Sequence, residues 1–191
     1  WMRSQNDGRP FEELKRLRSE VRGSHSSDVD TPKKRLPPRP QDFAMVVVVE
    51  RYKNLPQADF AERDADVVQK HLRALGVPEG NLLHLSGENA TKARLEGYLE
   101  EWLPKNVTAD SRLYFYFSGH GAPDPETEDA YLVPWDGDAS FLKSTALPLK
   151  KLYESLGRLK ARDIVVILDA CFSGAGGKSV IAKGARPLVS R

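Results

Sequence analysis

Two short stretches carry side chains suited to nucleophilic chemistry, SGHG at 118–121 and ACFSG at 170–174. Each follows an apolar run, so His120 and Cys171, the only cysteine, stand just past segments that read as strands. A free thiol with a pKa of about 8.5 is only a few per cent thiolate at neutral pH. A neighbouring imidazole raises that fraction and can then protonate a departing amine as general acid. Gly119 and Gly121 let the backbone turn sharply, and the amide of Gly121 could join that of Cys171 in holding an oxyanion. The plainer reading makes Cys171 a small core hydrophobe and His120 an ordinary structural histidine. Position argues against it, because Cys171 lies beyond VVIL, beside Ser173 and Gly174, in the same strand-end register as His120. His25, His71 and His84 have no such counterpart and keep the structural reading.

Those positions matter only if the runs before them are strands of one sheet. AMVVVVER (44–51) is β-branched and almost wholly apolar, the pattern of a central strand covered on both faces. DFAERDADVVQKHLRALG (59–76) has helical spacing through Phe60, Val67, Leu72 and Leu75, with Gly76 as a stop. NLLHLS (81–86) is a second strand, and TKARLEGYLEEWL (91–103) a helix that Thr91 can cap. SRLYFYFS (111–118) is a third strand, YLVPWD (131–136) a small hairpin arm, PLKKLYESLGRL (148–159) a helix and DIVVILDA (163–170) a fourth strand. The alternation predicts an α/β fold with a largely parallel sheet. In such sheets the chemistry gathers beyond the carboxyl ends of the strands, where SGHG and ACFSG fall.

The first 40 residues read differently. PFEELKRLRSEVR (10–22) is an amphipathic helix in pattern, GSHSSDVDTP a loop, and TPKKRLPPRP an extended basic linker. This arm, 1–40, precedes a domain over 41–191. Residues 1–40 hold ten Lys and Arg against six Asp and Glu, so within a total of +2 the domain is slightly acidic. That balance gives no case for nucleic acid. One cysteine excludes an internal disulfide and suits a reducing compartment. AMVVVV is too short to span a bilayer and the N-terminus lacks a signal-peptide core, so the expectation is a cytoplasmic protein without a membrane role. Trp1 ahead of Met2 suggests a processed fragment. Phosphate and zinc motifs fail: GAGGKS (174–179) would need glycine where Phe172 stands, no G-x-G-x-x-G opens the first helix, and one cysteine with scattered histidines makes no zinc set.

YFYFSGHG followed about fifty residues later by VVILDACFSG resembles the large catalytic subunit of caspase-like cysteine peptidases, in particular the metacaspase, paracaspase and bacterial orthocaspase branch. The resemblance covers roughly residues 41–180. It implies a caspase-like three-layer sandwich with strand order 2-1-3-4, and His120 with Cys171 as the catalytic dyad. Relatives in this branch accept arginine or lysine before the scissile bond, and Asp64, Ser118 and Asp169 match their acidic pocket. Two carboxylates there could pair with a guanidinium, whereas they would repel the aspartate that true caspases accept.

The match also has departures. Phe172 stands where many metacaspases have histidine. Asp129 matches one acid of the calcium-dependent members, but STALPL (144–149) lacks the paired acids and Lys178 stands where another would be. Calcium activation is therefore not expected, PDPETEDA (123–130) reads as a solvated loop, and no cofactor or metal is implied. The family requires a small subunit beside the fourth strand, which this chain ends too early to contain. Arg35 and Arg191 are candidate processing sites for an arginine-directed peptidase. The resulting expectation is a cysteine endopeptidase cleaving protein or peptide substrates after Arg or Lys, a zymogen in a cell-death, defence or other regulatory pathway. The rival is a catalytically degenerate scaffold or regulatory partner.

Overall fold

Six consecutive buried residues, Phe43–Val48, form strand β1, and only a strand covered on both faces can be apolar at every position. In the computed structural model it pairs in parallel with β2 (Leu82–Ser86) on one side and β3 (Arg112–Ser118) on the other. The last strand of the sheet, β7 (Asp163–Asp169), pairs in parallel with β3, giving the order β2-β1-β3-β7. This is the order expected for a caspase-like sandwich. The structure describes residues 27–123 and 129–170; the helix expected over 10–22, most of the acidic loop, Cys171 and Arg191 lie outside them.

The chain divides into two compact units, 1–32 and 33–191. In the first, Ser27 and Asp30 cap each other reciprocally around a single 3-10 turn, Asp28–Asp30. The second contains the sheet, and its opening segment is tied down: the Leu36 amide donates to Ala74 O (2.7 Å) and that of Arg39 to Gly76 O (2.8 Å).

Alternate residues of the central strands face two different helical layers. Met45, Val47, Leu113, Phe115 and Phe117 pack with Leu95, Leu99, Leu103, Leu152 and Leu156. These leucines belong to α2, which runs from Lys92 to Asn106, and to α4 (Leu149–Gly157). On the other face Ala44, Val46, Val48, Tyr114 and Tyr116 pack with Ala61, Ala65 and Leu72 of α1 (Ala61–Ala74). The result is helix, sheet, helix. The two faces of β7 differ: Ile164, Val166 and Leu168 lean on the first core, while Val165 and Ile167 are 38% and 42% exposed.

Several local details were not readable from periodicity. Phe60 takes a left-handed conformation (φ 71°, ψ 1°), so α1 starts at Ala61. Thr91 caps α2 as expected, its Oγ1 accepting from Arg94 N. The helix then passes through a π turn, Tyr98–Trp102, and continues to Asn106. Pro104 has no N–H and its ring crowds the carbonyl four residues back, and the ladder adjusts just before it by bonding Leu103 N to Tyr98 O. The expected hairpin arm is part of a second, antiparallel sheet of β4 (Gly121–Pro123), β5 (Ala130–Leu132) and β6 (Leu147–Pro148), in the order β4-β5-β6. A short helix, α3 (Leu142–Thr145), precedes β6. Both prolines lie on the outer strands of this sheet, where a missing donor is tolerated. No described helix is long and apolar enough to cross a membrane.

Phe115 is wholly buried at the centre of the larger core. Phe115→Ala should lower unfolding stability by about 3–5 kcal/mol in urea titration. A loss below about 1 kcal/mol would mean that this face of the sheet is not the packed core.

Candidate active site

The site grows from the carboxyl ends of β3 and β7. Ser118 is the register partner of Asp169, and one residue on, the Gly119 amide donates to Asp169 O at 3.3 Å. Position 119 admits only glycine for steric reasons. A Cβ there would lie 2.6 Å from Tyr52 Oη and 3.2 Å from Val49 O.

His120 follows, 2% exposed and held from several sides. Its amide donates to Tyr52 Oη at 2.6 Å, and its carbonyl accepts from Val133 N at 3.0 Å. The imidazole stacks on the Tyr52 ring with centroids 4.6 Å apart and planes at 27°. Nε2 lies 2.7 Å from the carbonyl oxygen of Pro56. A carbonyl can only accept, so Nε2 carries the proton and the neutral ring presents its lone pair at Nδ1. Nδ1 is buried and has no hydrogen-bond partner among the described residues. Buried polar atoms left unpaired are rare enough to require an explanation, and an absent reaction partner is one.

Pro56 is held by the loop between β1 and α1, which Glu50 organises. The Glu50 carbonyl accepts from Ala58 N at 2.8 Å, and its carboxylate accepts from Gln57 Nε2 at 2.8 Å and from Glu62 N at 3.1 Å. Tyr52, on the same loop, donates to Val133 O at 3.3 Å. Burial pushes its phenol well above the usual tyrosine range, which keeps it neutral and able to donate.

The bond from Val133 N to His120 O makes Gly121 and Leu132 a non-hydrogen-bonded pair of the β4–β5 ladder. The Gly121 amide therefore faces away from β5.

Of the three residues expected to form an acidic pocket, Ser118 and Asp169 are in contact. Ser118 is fully buried, and its Oγ donates to Asp169 Oδ2 at 3.0 Å. Tyr116 points to the same face two residues earlier, and burial pushes its phenol up to about 12, with a smaller contribution from the carboxylates of Asp169 and Asp64. Asp64 stands on the first turn of α1, the helix that packs on the Tyr116 face of the sheet. Cys171 lies outside the described residues, two positions after Asp169 in the chain, as His120 is two positions after Ser118.

Tyr52, Tyr116 and the Pro56 carbonyl were not picked out from the sequence. For Tyr52 and Pro56 the order along the chain did offer a signal, since RYKNLPQ (51–57) follows the strand that neighbours β3 in a 2-1-3-4 sheet. A backbone carbonyl, however, leaves no residue-type mark. Among the described residues no group of three His, Cys, Asp or Glu could hold a metal ion. Asp129 shares a shallow groove with Glu100, Lys150, Lys151 and Arg158, and the Lys151 ammonium already bridges Glu96 (3.0 Å) and Glu100 (2.9 Å).

Two glycines give opposite expectations. Gly119→Ala should destabilise the fold by about 1–3 kcal/mol through overpacking against Tyr52. Gly97→Ala, in the helical α2 with open space around the added methyl, should stabilise it by up to about 1 kcal/mol. Thermal unfolding of the two variants checks the pair, and equal shifts would discount the steric argument at 119.

Residues 41–187 match the family profile described as the caspase domain, peptidase C14. The fold is also similar to the crystal structure of protein GSU0716 from Geobacter sulfurreducens, at 20% identity and a TM-score of 0.54, over 69% of this chain and 51% of that one. The chain thus spans about half the length of that protein. No curated protein matches. With its parallel sheet in the order β2-β1-β3-β7 and a profile match over 41–187, the chain belongs to the caspase-domain family of cysteine peptidases.

Proposed function

We propose that the protein is a cysteine endopeptidase that cleaves protein or peptide substrates after arginine or lysine, with Cys171 as nucleophile and His120 as its partner. The observation that carries this reading is the Nδ1 atom of His120, buried and unpartnered among the described residues while Nε2 is committed to Pro56. In this reading Nδ1 takes the thiol proton, and the thiolate attacks the scissile carbonyl carbon. The amides of Gly121 and Cys171 hold the oxyanion. Collapse of the tetrahedral adduct breaks the C–N bond, the proton on Nδ1 goes to the departing amine, and a thioester remains. Water, deprotonated by the same imidazole, then releases the acid and restores the thiol.

Asp64 and Asp169 bind the basic side chain. The Ser118 hydroxyl donates to Asp169 Oδ2 and so orients the carboxylate that receives the guanidinium or ammonium. Calcium is not required in this reading, because STALPL (144–149) lacks the paired acids and Lys178 stands where another would be. A small subunit adds beside β7 and covers Val165 and Ile167. The protein is cytoplasmic and a zymogen of a regulatory, cell-death or defence pathway, processed after the exposed Arg35.

The test is a matched set of fluorogenic peptides differing only in Arg, Lys or Asp before the scissile bond, with and without calcium. Cleavage after Arg or Lys should fall by about 10⁴-fold or more in Cys171→Ala and in His120→Ala. Cleavage after Asp alone would overturn the pocket, and cleavage that survives Cys171→Ala would overturn the dyad. Asp169→Asn should lower kcat/KM for the Arg peptide by about thirtyfold or more, through loss of a desolvated charge partner. An unchanged kcat/KM would remove Asp169 from the pocket.

A further inference from the structure

His120 is anchored at one edge by a single hydrogen bond, Nε2 to the Pro56 carbonyl. One such bond fixes neither the plane of the ring nor its own angle, because the ring can still hinge until Nε2–H no longer points at the carbonyl oxygen, and the tautomer is then free to change. A second restraint is needed before Nδ1 has a defined direction, and Tyr52 is placed to supply it. Its ring lies against the face of the imidazole, 4.6 Å between centroids and 27° between planes, which blocks the hinge on that side.

The Tyr52 hydroxyl adds a restraint of another kind. It accepts from the His120 amide at 2.6 Å and donates to Val133 O at 3.3 Å. The Val133 amide in turn donates to His120 O at 3.0 Å. One phenol thus closes a ring of hydrogen bonds around the backbone of His120 while its aromatic face sets the side chain. The close approach is deliberate in the packing, because the absence of a Cβ at Gly119 is what admits the hydroxyl. The same aromatic face attracts the imidazolium that exists while the ring holds the thiol proton.

We infer that Tyr52 is a positioning residue, which sets the plane of the His120 imidazole and hence the direction of its Nδ1 lone pair. Its catalytic consequence rests on the Cys171–His120 reading above; its geometric consequence does not. Two variants separate the two contacts. Tyr52→Phe keeps the aromatic face and loses both hydroxyl bonds, whereas Tyr52→Leu loses face and hydroxyl together.

The experiment is long-range ¹H–¹⁵N correlation of the full chain labelled at histidine, with His120 assigned against His120→Ala, alongside peptide kinetics. In the wild type and in Tyr52→Phe the neutral ring should show one tautomer, protonated at Nε2. In Tyr52→Leu the two ring nitrogens should move toward averaged shifts as the tautomers mix. kcat should fall several-fold in Tyr52→Phe and by about a hundredfold in Tyr52→Leu, with KM within twofold. If Tyr52→Leu does not fold, Tyr52→Phe still decides, since loss of the bond at the His120 amide should speed its hydrogen exchange by about tenfold or more. A wild-type tautomer in folded Tyr52→Leu, or wild-type amide exchange in Tyr52→Phe, overturns the inference. A tautomer that responds in a protein cleaving none of the peptides supports the positioning role and overturns the peptidase reading alone.

Discussion

The hydrogen bonds between β3 and β7 set Ser118 opposite Asp169, and each candidate role at the site is reckoned from that pair. Parallel pairing aligns the carboxyl ends of neighbouring strands, so residues that follow two strands by the same number of positions leave the sheet together. The pair is itself bonded through its side chains, with Ser118 Oγ on Asp169 Oδ2. This ties together the carboxyl ends of two neighbouring strands, the first of which continues into His120. A register slip of one residue between the two strands would put Ser118 and Asp169 on opposite faces of the sheet and break that bond.

His120 shows how a buried polar group is stabilised while one of its atoms stays available. Its amide, carbonyl, ring face and Nε2 are all engaged, by Tyr52, Val133 and Pro56. Only Nδ1 lacks a described partner. Burying an unpaired acceptor costs on the order of 1–3 kcal/mol, and the surrounding bonds and packing hold the ring in place against that cost. The loop that supplies Tyr52 and Pro56 is itself braced by Glu50, which joins the start of that loop to the first turn of α1. The neighbouring Phe60, in a left-handed conformation unfavourable for a bulky side chain, marks where the loop is forced into the helix.

The two faces of the sheet are unequal at its edge. α1 covers β1 and β3, but Val165 and Ile167 on the same face of β7 remain accessible among the described residues. Ile164, Val166 and Leu168, one position out of phase, are packed on α2 and α4's side of the sheet. A strand whose sequence reads as continuously apolar is therefore half covered. This is the surface on which the proposed small subunit would complete the sandwich.

What the sequence by itself determined was the set of elements with strong local periodicity. β1, β2, β3 and β7 and the three longer helices lie within a few residues of their expected limits, and the strand order followed from the resemblance carried by SGHG and DACFSG. Asp64, Ser118 and Asp169 were named from that same resemblance; in the structure Ser118 is hydrogen-bonded to Asp169, and Asp64 stands on the helix that covers the Tyr116 face. β4 and β6, with three and two residues, were too short to carry a period. Tertiary structure alone decided how His120 is held. Its partners at Tyr52 and Pro56 are 68 and 64 residues away along the chain, and one of them is a backbone carbonyl that any residue could provide. Local patterning records which face of an element is apolar. It does not record which loop atom the folded chain brings within 3 Å of an imidazole, because that distance is set by the register of β3 on β1 and by the bracing of the loop between them.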